Sequence, residues 1–442
     1  MRARRISLGS VFKTGWVLVT LLLIPVWVVY HLTRDRLPEG MVELRYGMFG
    51  TDEQKKQEYE LIRRFETAHP NIRVKLEWCS SGNYLLKLKT QIAGRTEPDV
   101  TWMGAQYVEE FATRGAFLAL DPVIAADPSF RLDQYFPVMV NAFRSSNGAL
   151  YGIPKDNSPT VLFYNQDAFE KAGIPLPHDG WTWEECIAAG KKLTRDTNGD
   201  GMPDQFGYIA LWDILYFYQH GCWIFSGDGK RALFDTPEAI QAMKFRRDLA
   251  YTYKITPSPT QTAVLMAGSG GGLGLGAFDL FPAERVMMLP CNPAITLYFN
   301  KVCRFKWSVA PMPKGPLDLT IVDGAAYPIL ARTKHLREAW EFVKFLAGPE
   351  VQEMRVKAGD SLPSLMPIAG KYLSEMPEGL KAGYRVLDRS RSLPKHEKWG
   401  RMEADIFRAF ERIMTDENPT PPEVELPELN KKLQKIIDDP LL

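Results

Sequence analysis

The chain has 442 residues, 45% of them hydrophobic and 24% charged, and its 54 Lys and Arg residues balance 53 Asp and Glu residues. This length predicts two or three domains with cores that need no disulfide or metal scaffold. The even charge argues against a nucleic-acid partner, and the composition argues against a disordered chain or a polytopic membrane protein.

The N-terminal segment is basic and then apolar. Six Lys and Arg residues and one Asp stand within residues 1–38, and residues 15–32 form a nearly uninterrupted apolar run. A run of about 18 residues approaches the minimum length of a membrane-spanning helix, and the preceding positive charge favours a cytoplasmic N-terminus with the body outside. No A-x-A-like cleavage site and no cysteine directly follow the run. We therefore predict that residues 1–40 are a basic stub and an uncleaved transmembrane anchor, with a cleaved signal segment or a buried helix as alternatives.

Short strands alternate with amphipathic helices along residues 41–113. Apolar residues alternate with period two in the strand segments, and they recur at helical spacing between them. The predicted strands are residues 41–46, 72–78 and 98–102, and the predicted helices are residues 53–69, 84–93 and 108–113. This order predicts an α/β domain with a largely parallel sheet.

Later helices carry explicit start signals. Thr182 stands three residues before Glu185, the spacing of a capping box. Thr236 precedes Pro237, which favours the first position of a helix. Residues 377–439 are predicted to be mostly helical with a Pro-rich break. One apolar helix face is formed by Leu336, Ala339, Trp340, Val343 and Leu346.

Common catalytic motifs are missing. The sequence has no H-E-x-x-H, no G-x-S-x-G and no P-loop motif. Residues 272–277 satisfy G-x-G-x-x-A, but they belong to a Gly tract at 268–276 that a flexible loop explains better. A pair of carboxylates acting on a glycoside needs no motif and stays open. We therefore predict a protein that is not an enzyme and requires no cofactor.

Residues 196–207 have the spacing of a calcium loop. Oxygen-bearing side chains stand at positions 1, 3, 5 and 9, and Gly201 stands at position 6. Gly207 replaces the usual bidentate Glu at position 12. The alternative is a turn of Asp, Asn and Gly that satisfies its own backbone. The candidate ligands of a structural calcium ion are Asp196, Asn198, Asp200 and Asp204.

Aromatic residues make up 12% of the chain, and several stand near predicted strand ends or turns. Flat aromatic faces suit the apolar faces of sugar rings, and Asp and Asn side chains suit sugar hydroxyls. The alternative for any single aromatic residue is a place in the core. The candidates are Trp102, Trp212, Trp223 and Tyr298.

A series of motifs runs through the body in a fixed order. In sequence they are PDVTW at 98–102, GAFLALD at 115–121, GALYGIP at 148–154, FYNQDAFEKAG at 163–173, WTWEE at 181–185, APMPKG at 310–315 and AWEFVKFL at 339–346. Together these segments, within residues 42–365, resemble family 1 of the extracellular solute-binding proteins, the sugar-binding components of ABC importers of the maltose-binding type.

The resemblance implies an α/β fold of class II periplasmic-binding-protein type, with two lobes joined by three crossings. The crossings are expected at residues 151–160, at 308–313 and near 360–363. The N-lobe is expected to comprise residues 41–153 and 310–360, and the C-lobe residues 160–307 and 361–442. A transmembrane helix is expected before the first lobe.

The resemblance also implies a ligand site between the lobes. Its expected residues are Phe49, Thr51, Asn83, Trp102, Asp156, Trp223, Asp323, Gly324 and Tyr327. The expected function is that of an extracytoplasmic receptor that binds a mono- or oligosaccharide and delivers it to ABC permease subunits.

Other functions fit the same sequence less well. A polyamine, a phosphodiester or a metal chelate are alternative ligands of the same scaffold. An extracytoplasmic glycoside hydrolase and a sensor that signals to a membrane kinase are alternatives from other classes.

Overall fold

A computed structural model describes residues 37–440 except 51, 80, 269–275, 359–360 and 376–377. The membrane-spanning part of the anchor predicted for residues 1–40 lies outside the described residues. Within the part of the chain that is described, no helix is long and apolar enough to cross a membrane.

Strands and helices alternate along the chain. The strands are β1 (Val42–Phe49), β2 (Ile72–Cys79), β3 (Val100–Thr101), β4 (Met103–Gly104), β5 (Ile153–Pro154), β6 (Asp156–Pro159), β7 (Val161–Asn165), β8 (Met288–Cys291), β9 (Trp307–Ala310), β10 (Thr320–Asp323), β11 (Ala325–Tyr327), β12 (Leu362–Pro363) and β13 (Ser390–Ser392). The α-helices are α1 (Asp52–Ala68), α2 (Ser81–Ala93), α3 (Ala105–Thr113), α4 (Asp121–Ala125), α5 (Pro137–Ala142), α6 (Gln166–Ala172), α7 (Trp183–Leu193), α8 (Asp213–Gln219), α9 (Pro237–Tyr251), α10 (Pro259–Gly268), α11 (Thr296–Val302), α12 (Leu336–Ala347), α13 (Pro349–Ala358), α14 (Met366–Leu373), α15 (Glu378–Arg385), α16 (Trp399–Met414) and α17 (Pro422–Asp438).

The first lobe is built on a parallel sheet of order β2-β1-β3, as the alternation of strands and helices predicts. The inward residues of β1, including Tyr46, are fully buried. The Tyr46 ring packs edge-on against Phe342 of α12, with ring centroids 5.2 Å apart. A second small sheet of order β4-β11-β5 continues this core.

The second lobe is built on a sheet of order β8-β7-β9, and both neighbours are antiparallel to β7. The pairing in this lobe thus differs from the parallel sheet of the first lobe. β7 carries the chain into the lobe and β9 leads it back, so adjacent strands run in opposite directions. Because successive side chains of a strand point to opposite faces, Leu162 of β7 packs into one hydrophobic cluster and Phe163 into another.

A third sheet, of order β12-β6-β10-β13, lies between the lobes. β6 links β5 of the first lobe to β7 of the second. β9 pairs along its length with β7 of the second lobe, and β10, the next strand, pairs with β6. α14 follows β12, and its buried residues Ile368 and Tyr372 pack into the first core.

Local start signals are confirmed. Thr182 and Glu185 form the predicted capping box at α7, and the Thr236 hydroxyl accepts the Ala239 amide at the start of α9. The apolar face of α12 is buried except for Leu336, which is exposed at the first turn.

Candidate functional site

Strand ends of the first lobe bring two predicted residues together. Phe49 ends β1, and its ring stacks on Trp102, which lies between β3 and β4, at a centroid distance of 5.0 Å. The Lys155 ammonium lies over the same Trp102 ring, 4.6 Å from its centroid. The π-surface of Trp102 is therefore already used by protein groups.

Lys155 and Asp156 stand at the beginning of the crossing strand β6. The Lys155 ammonium pairs with Asp156 Oδ2 at 2.5 Å, and both side chains are buried. Asp156 Oδ1 accepts a hydrogen bond from the Ala325 amide of β11 at 3.0 Å. The Asp156 carboxylate thus joins the crossing strand to the first lobe.

Asp323 and Gly324 lie at the end of β10, beside Asp156. Asp323 Oδ1 accepts the Gly324 amide at 2.7 Å. Burial, and secondarily the negative charge of Asp156, raises the pKa of Asp323 to about 6 although the Gly324 bond opposes the shift. A Cβ atom on Gly324 would stand 2.5 Å from Met139 Cε and 3.0 Å from the Asp156 carbonyl oxygen. Glycine is thus the residue that fits here.

A contact between the lobes closes this region. Tyr107 of α3 packs against both main hydrophobic clusters, and its hydroxyl donates to Glu403 Oε1 of α16 at 3.2 Å. Burial and the negative charge of Glu403 raise the pKa of Tyr107 to about 12, with a smaller contribution from Asp323. The phenol therefore remains a neutral donor at physiological pH, and Asp323 lies within electrostatic range of it.

A second interlobe contact is polar. The Lys395 ammonium donates to the carbonyl oxygens of Asn141 at 3.0 Å and Arg144 at 2.7 Å. It lines a cavity of about 450 Å³ together with Glu109 and His396. Burial lowers the pKa of Lys395. The lobes are thus in direct contact in this conformation.

Two buried indole N–H groups have no hydrogen-bond partner among the described residues, those of Trp102 and Trp399. Trp102 is 8% exposed, and Trp399 begins α16, the helix that carries Glu403. A buried donor without an acceptor is costly.

Other predicted site residues have different surroundings. Trp223 is 43% exposed and packs on Tyr218, whose hydroxyl donates to the Ser392 carbonyl oxygen of β13. Asn83 is exposed in the first turn of α2. Thr51 lies outside the described residues.

Tyr327, another predicted site residue, lies in the core of the first lobe. Its side chain is fully buried in the first core, and its hydroxyl accepts a hydrogen bond from Arg355 at 3.1 Å. Arg355 is also paired with Glu58. Tyr327 therefore completes a buried charge network.

Backbone strain accompanies two exposed tryptophans of the second lobe. Trp212, 37% exposed, has φ of 60°, and Ile224, which follows Trp223, has φ of 52°. Left-handed backbone is uncommon for bulky or β-branched residues, and such strain is concentrated at ligand contacts. The sequence contains no local signal of this strain.

Sequence reasoning missed three residues of this region, namely Tyr107, Lys155 and Glu403. Lys155 directly follows the motif at 148–154 and directly precedes the predicted residue Asp156, so the sequence offered a signal for it. No sequence signal links Tyr107 to Glu403, which are 296 positions apart.

The loop at residues 196–207 is held by its own hydrogen bonds. Asp196 accepts the amides of Gly199 and Gly201, each at 2.7 Å. Asp204 accepts from Thr197 and pairs with Arg285 at 3.2 Å. Over the described residues, no group of three or more His, Cys, Asp or Glu side chains is arranged to hold a metal ion.

Comparison with known proteins identifies one family. The model of the bacterial extracellular solute-binding proteins matches residues 60–369. The arabinooligosaccharide-binding protein of Bacillus subtilis is 25% identical over 332 residues, which cover 70% of either chain.

Solved structures share the fold. An ABC substrate-binding protein of Listeria monocytogenes, in complex with cycloalternan, superimposes with a TM-score of 0.78 and 24% identity, covering 90% of this chain and 99% of that one. The GacH receptor of Streptomyces glaucescens gives 0.74 and 21% identity, covering 90% and 99%. At these identities the likeness establishes the two-lobed fold.

Proposed function

We propose, since this chain belongs to the family of bacterial extracellular solute-binding proteins, that it is an extracytoplasmic receptor that binds a saccharide between its lobes and delivers it to an ABC permease. One observation supports the proposal most directly: the Lys155 ammonium contacts both the Trp102 ring and the Asp156 carboxylate where β6 leaves the first lobe, and Asp323 ends the strand β10 that pairs with β6.

The proposed binding residues combine hydrogen-bonding groups with aromatic surface. Asp156 and Asp323 provide carboxylates for sugar hydroxyls, and the Trp102 indole provides a donor for a sugar oxygen. The exposed aromatic surface comes from the second lobe, because the Trp102 ring is already covered. The full proposed set is Phe49, Thr51, Asn83, Trp102, Asp156, Trp223, Asp323 and Gly324, with Tyr107, Lys155 and Glu403 added.

The proposed mechanism is closure without covalent chemistry. A ligand that contacts both lobes binds the closed form better than the open form, and only this difference shifts the population. A few kcal/mol of differential affinity moves a mostly open ensemble to a mostly closed one. The family to which the chain belongs is one of solute-binding proteins, and this favours closure on a ligand over glycoside hydrolysis.

Two further features belong to the proposal. We propose that residues 15–32 anchor the receptor in the membrane, on the strength of their apolar run and basic flank. Membrane fractionation of the full chain, beside a chain lacking residues 1–36, tests the anchor.

A structural calcium ion in the 196–207 loop stays a prediction. If the ion binds, the protein should have a higher melting temperature in calcium than in EDTA, and Asp200→Asn should abolish this difference.

A thermal-shift screen tests the function. Neutral mono- and oligosaccharides, amino saccharides, spermidine and glycerol phosphodiesters are compared at equal concentrations, with release of reducing ends measured in parallel. We expect stabilisation by a saccharide and no new reducing ends. Stabilisation by a non-saccharide alone would refute the sugar assignment, and turnover would favour a hydrolase.

A further inference from the structure

Helix α16 of the second lobe faces the first lobe along one strip of its surface. At the start of the helix, a Cβ atom on Gly400 would stand 2.8 Å from Glu110 Oε2. One turn later, Glu403 accepts the Tyr107 hydroxyl at 3.2 Å. Both first-lobe partners belong to α3. Positions 400 and 403 therefore mark the side of α16 that is turned towards the first lobe.

The opposite side of α16 is covered by α17. Asp405 pairs with Lys432 at 2.8 Å, and Arg412 Nε donates to Glu425 at 3.0 Å. At 3.6 residues per turn, positions 405 and 412 lie about half a turn away from position 403. The two sides of the helix thus have different neighbours, α17 on one and α3 on the other.

Phe407 lies on the side turned towards the first lobe. Helical geometry directs position 407 between the directions of positions 400 and 403. Its side chain is 54% exposed, whereas Ile406 and Phe410 on the core side of α16 are buried. A single exposed hydrophobic residue is common at a protein surface, but this one occupies the interlobe side of the helix.

The pairing of α3 with α16 also places Phe407 along the cleft. From the contact at Gly400 to the contact at Glu403, residue numbers rise in α16 and fall in α3, so the two helices run antiparallel. One further turn along α16 reaches Phe407, and one further turn along α3 reaches β4, which directly follows Trp102. This register puts Phe407 opposite the strand end that carries Trp102.

We propose, on the basis of the function proposed above, that Phe407 is a ligand-binding residue whose ring packs against the apolar face of a saccharide ring between α16 and β4. An aromatic ring suits that face of a sugar. The Trp102 ring is contacted by Phe49 and Lys155, whereas more than half of the Phe407 side chain is exposed. Glu403, one turn away at a Cβ distance of about 5–6 Å, accepts a hydroxyl of the same sugar.

Substitution at position 407 tests the role of the ring. Calorimetry measures the binding of maltotriose, cellotriose, mannotriose and arabinotriose to the native protein, and the tightest of them is then measured with the variants. We expect Phe407→Ala to weaken its binding about tenfold and Phe407→Trp to stay within about threefold of the native protein. The matched control is Val424→Ala in α17, where the side chain is 55% exposed, and it should leave the affinity unchanged. All three variants should unfold in urea at the native midpoint, since the replaced side chains are exposed.

The outcomes separate this inference from the proposed function. Native affinity in Phe407→Ala overturns the inference and leaves the proposed function standing. Small-angle scattering of the unliganded protein gives a second readout, and the radius of gyration should be the same for Phe407→Ala and the native protein. A larger radius in the variant assigns Phe407 to contact between the lobes and also overturns the inference. Binding of none of the four trisaccharides by the native protein overturns both proposals.

Discussion

Tyr107 and Glu403 join the two lobes by a hydrogen bond of 3.2 Å between side chains of α3 and α16. The two helices face each other, because a Cβ atom on Gly400 of α16 would stand 2.8 Å from Glu110 Oε2 of α3. The contact exists only while the lobes are together. It therefore contributes to the free-energy difference between open and closed forms.

Tyr107→Phe removes the hydroxyl that donates to Glu403 and keeps the aromatic ring. A hydrogen bond to a charged acceptor contributes about 1–2 kcal/mol. We expect the affinity for the best saccharide of the screen to fall about fivefold, measured by calorimetry, and the unliganded protein to have a larger radius of gyration by small-angle scattering. Tyr59→Phe, on the exposed face of α1, is the control. Unchanged affinity and radius would contradict the role of this contact.

Gly324→Ala tests the close approach at the end of β10. The Met139 terminus can shift, but the Asp156 carbonyl oxygen at 3.0 Å is backbone. We expect a loss of about 1–3 kcal/mol in the free energy of unfolding by urea, together with weaker ligand binding. Gly370→Ala in α14 has open space around its Cβ and should be neutral or slightly stabilising. Equal effects of the two substitutions would show that packing at Gly324 is not restrictive.

Asp323→Asn should have a stability effect that depends on pH. The pKa of Asp323 in the folded protein, about 6, lies above its ordinary value. The ionised carboxyl therefore penalises folding above pH 6, and the penalty disappears as pH falls toward 4. The variant should be more stable than the native protein by up to about 3 kcal/mol at pH 7.5 and lose this advantage near pH 4, as measured by urea unfolding. A difference that is constant with pH would contradict the raised pKa.

Lys398→Met should loosen the C-terminal helix. The Lys398 ammonium is buried and donates to the carbonyl oxygens of Ile436, Ile437 and Asp439 at the end of α17, at 2.7–3.0 Å. Its loss leaves helix-end carbonyls without their cation, at a cost of about 2 kcal/mol. Lys431→Met, which removes an exposed pair with Glu428, should cost under about 0.5 kcal/mol. Urea unfolding and proteolysis of the C-terminus provide the two measurements.

The sequence by itself determined features that depend on neighbours along the chain. The capping box of Thr182 and Glu185 forms within one helical turn, and the alternation of β1 follows from the period of a strand. The resemblance to a family also pointed to the segment that contains Asp156 as a connection between the lobes, since it directly follows the recognisable motif at 148–154.

Only the tertiary structure decided which predicted residues are available to a ligand. The sequence shows that residue 102 is aromatic. Only the structure shows that Phe49 and Lys155 contact its ring and that its N–H has no hydrogen-bond partner among the described residues. Tyr327 lies shortly after β10, where ligand-site residues were expected, yet its hydroxyl accepts a hydrogen bond from Arg355 in the core. Tyr107 meets Glu403 because two crossing strands fix how the lobes face each other. Burial and pairing of this kind depend on residues hundreds of positions apart, and no local pattern of the sequence encodes them.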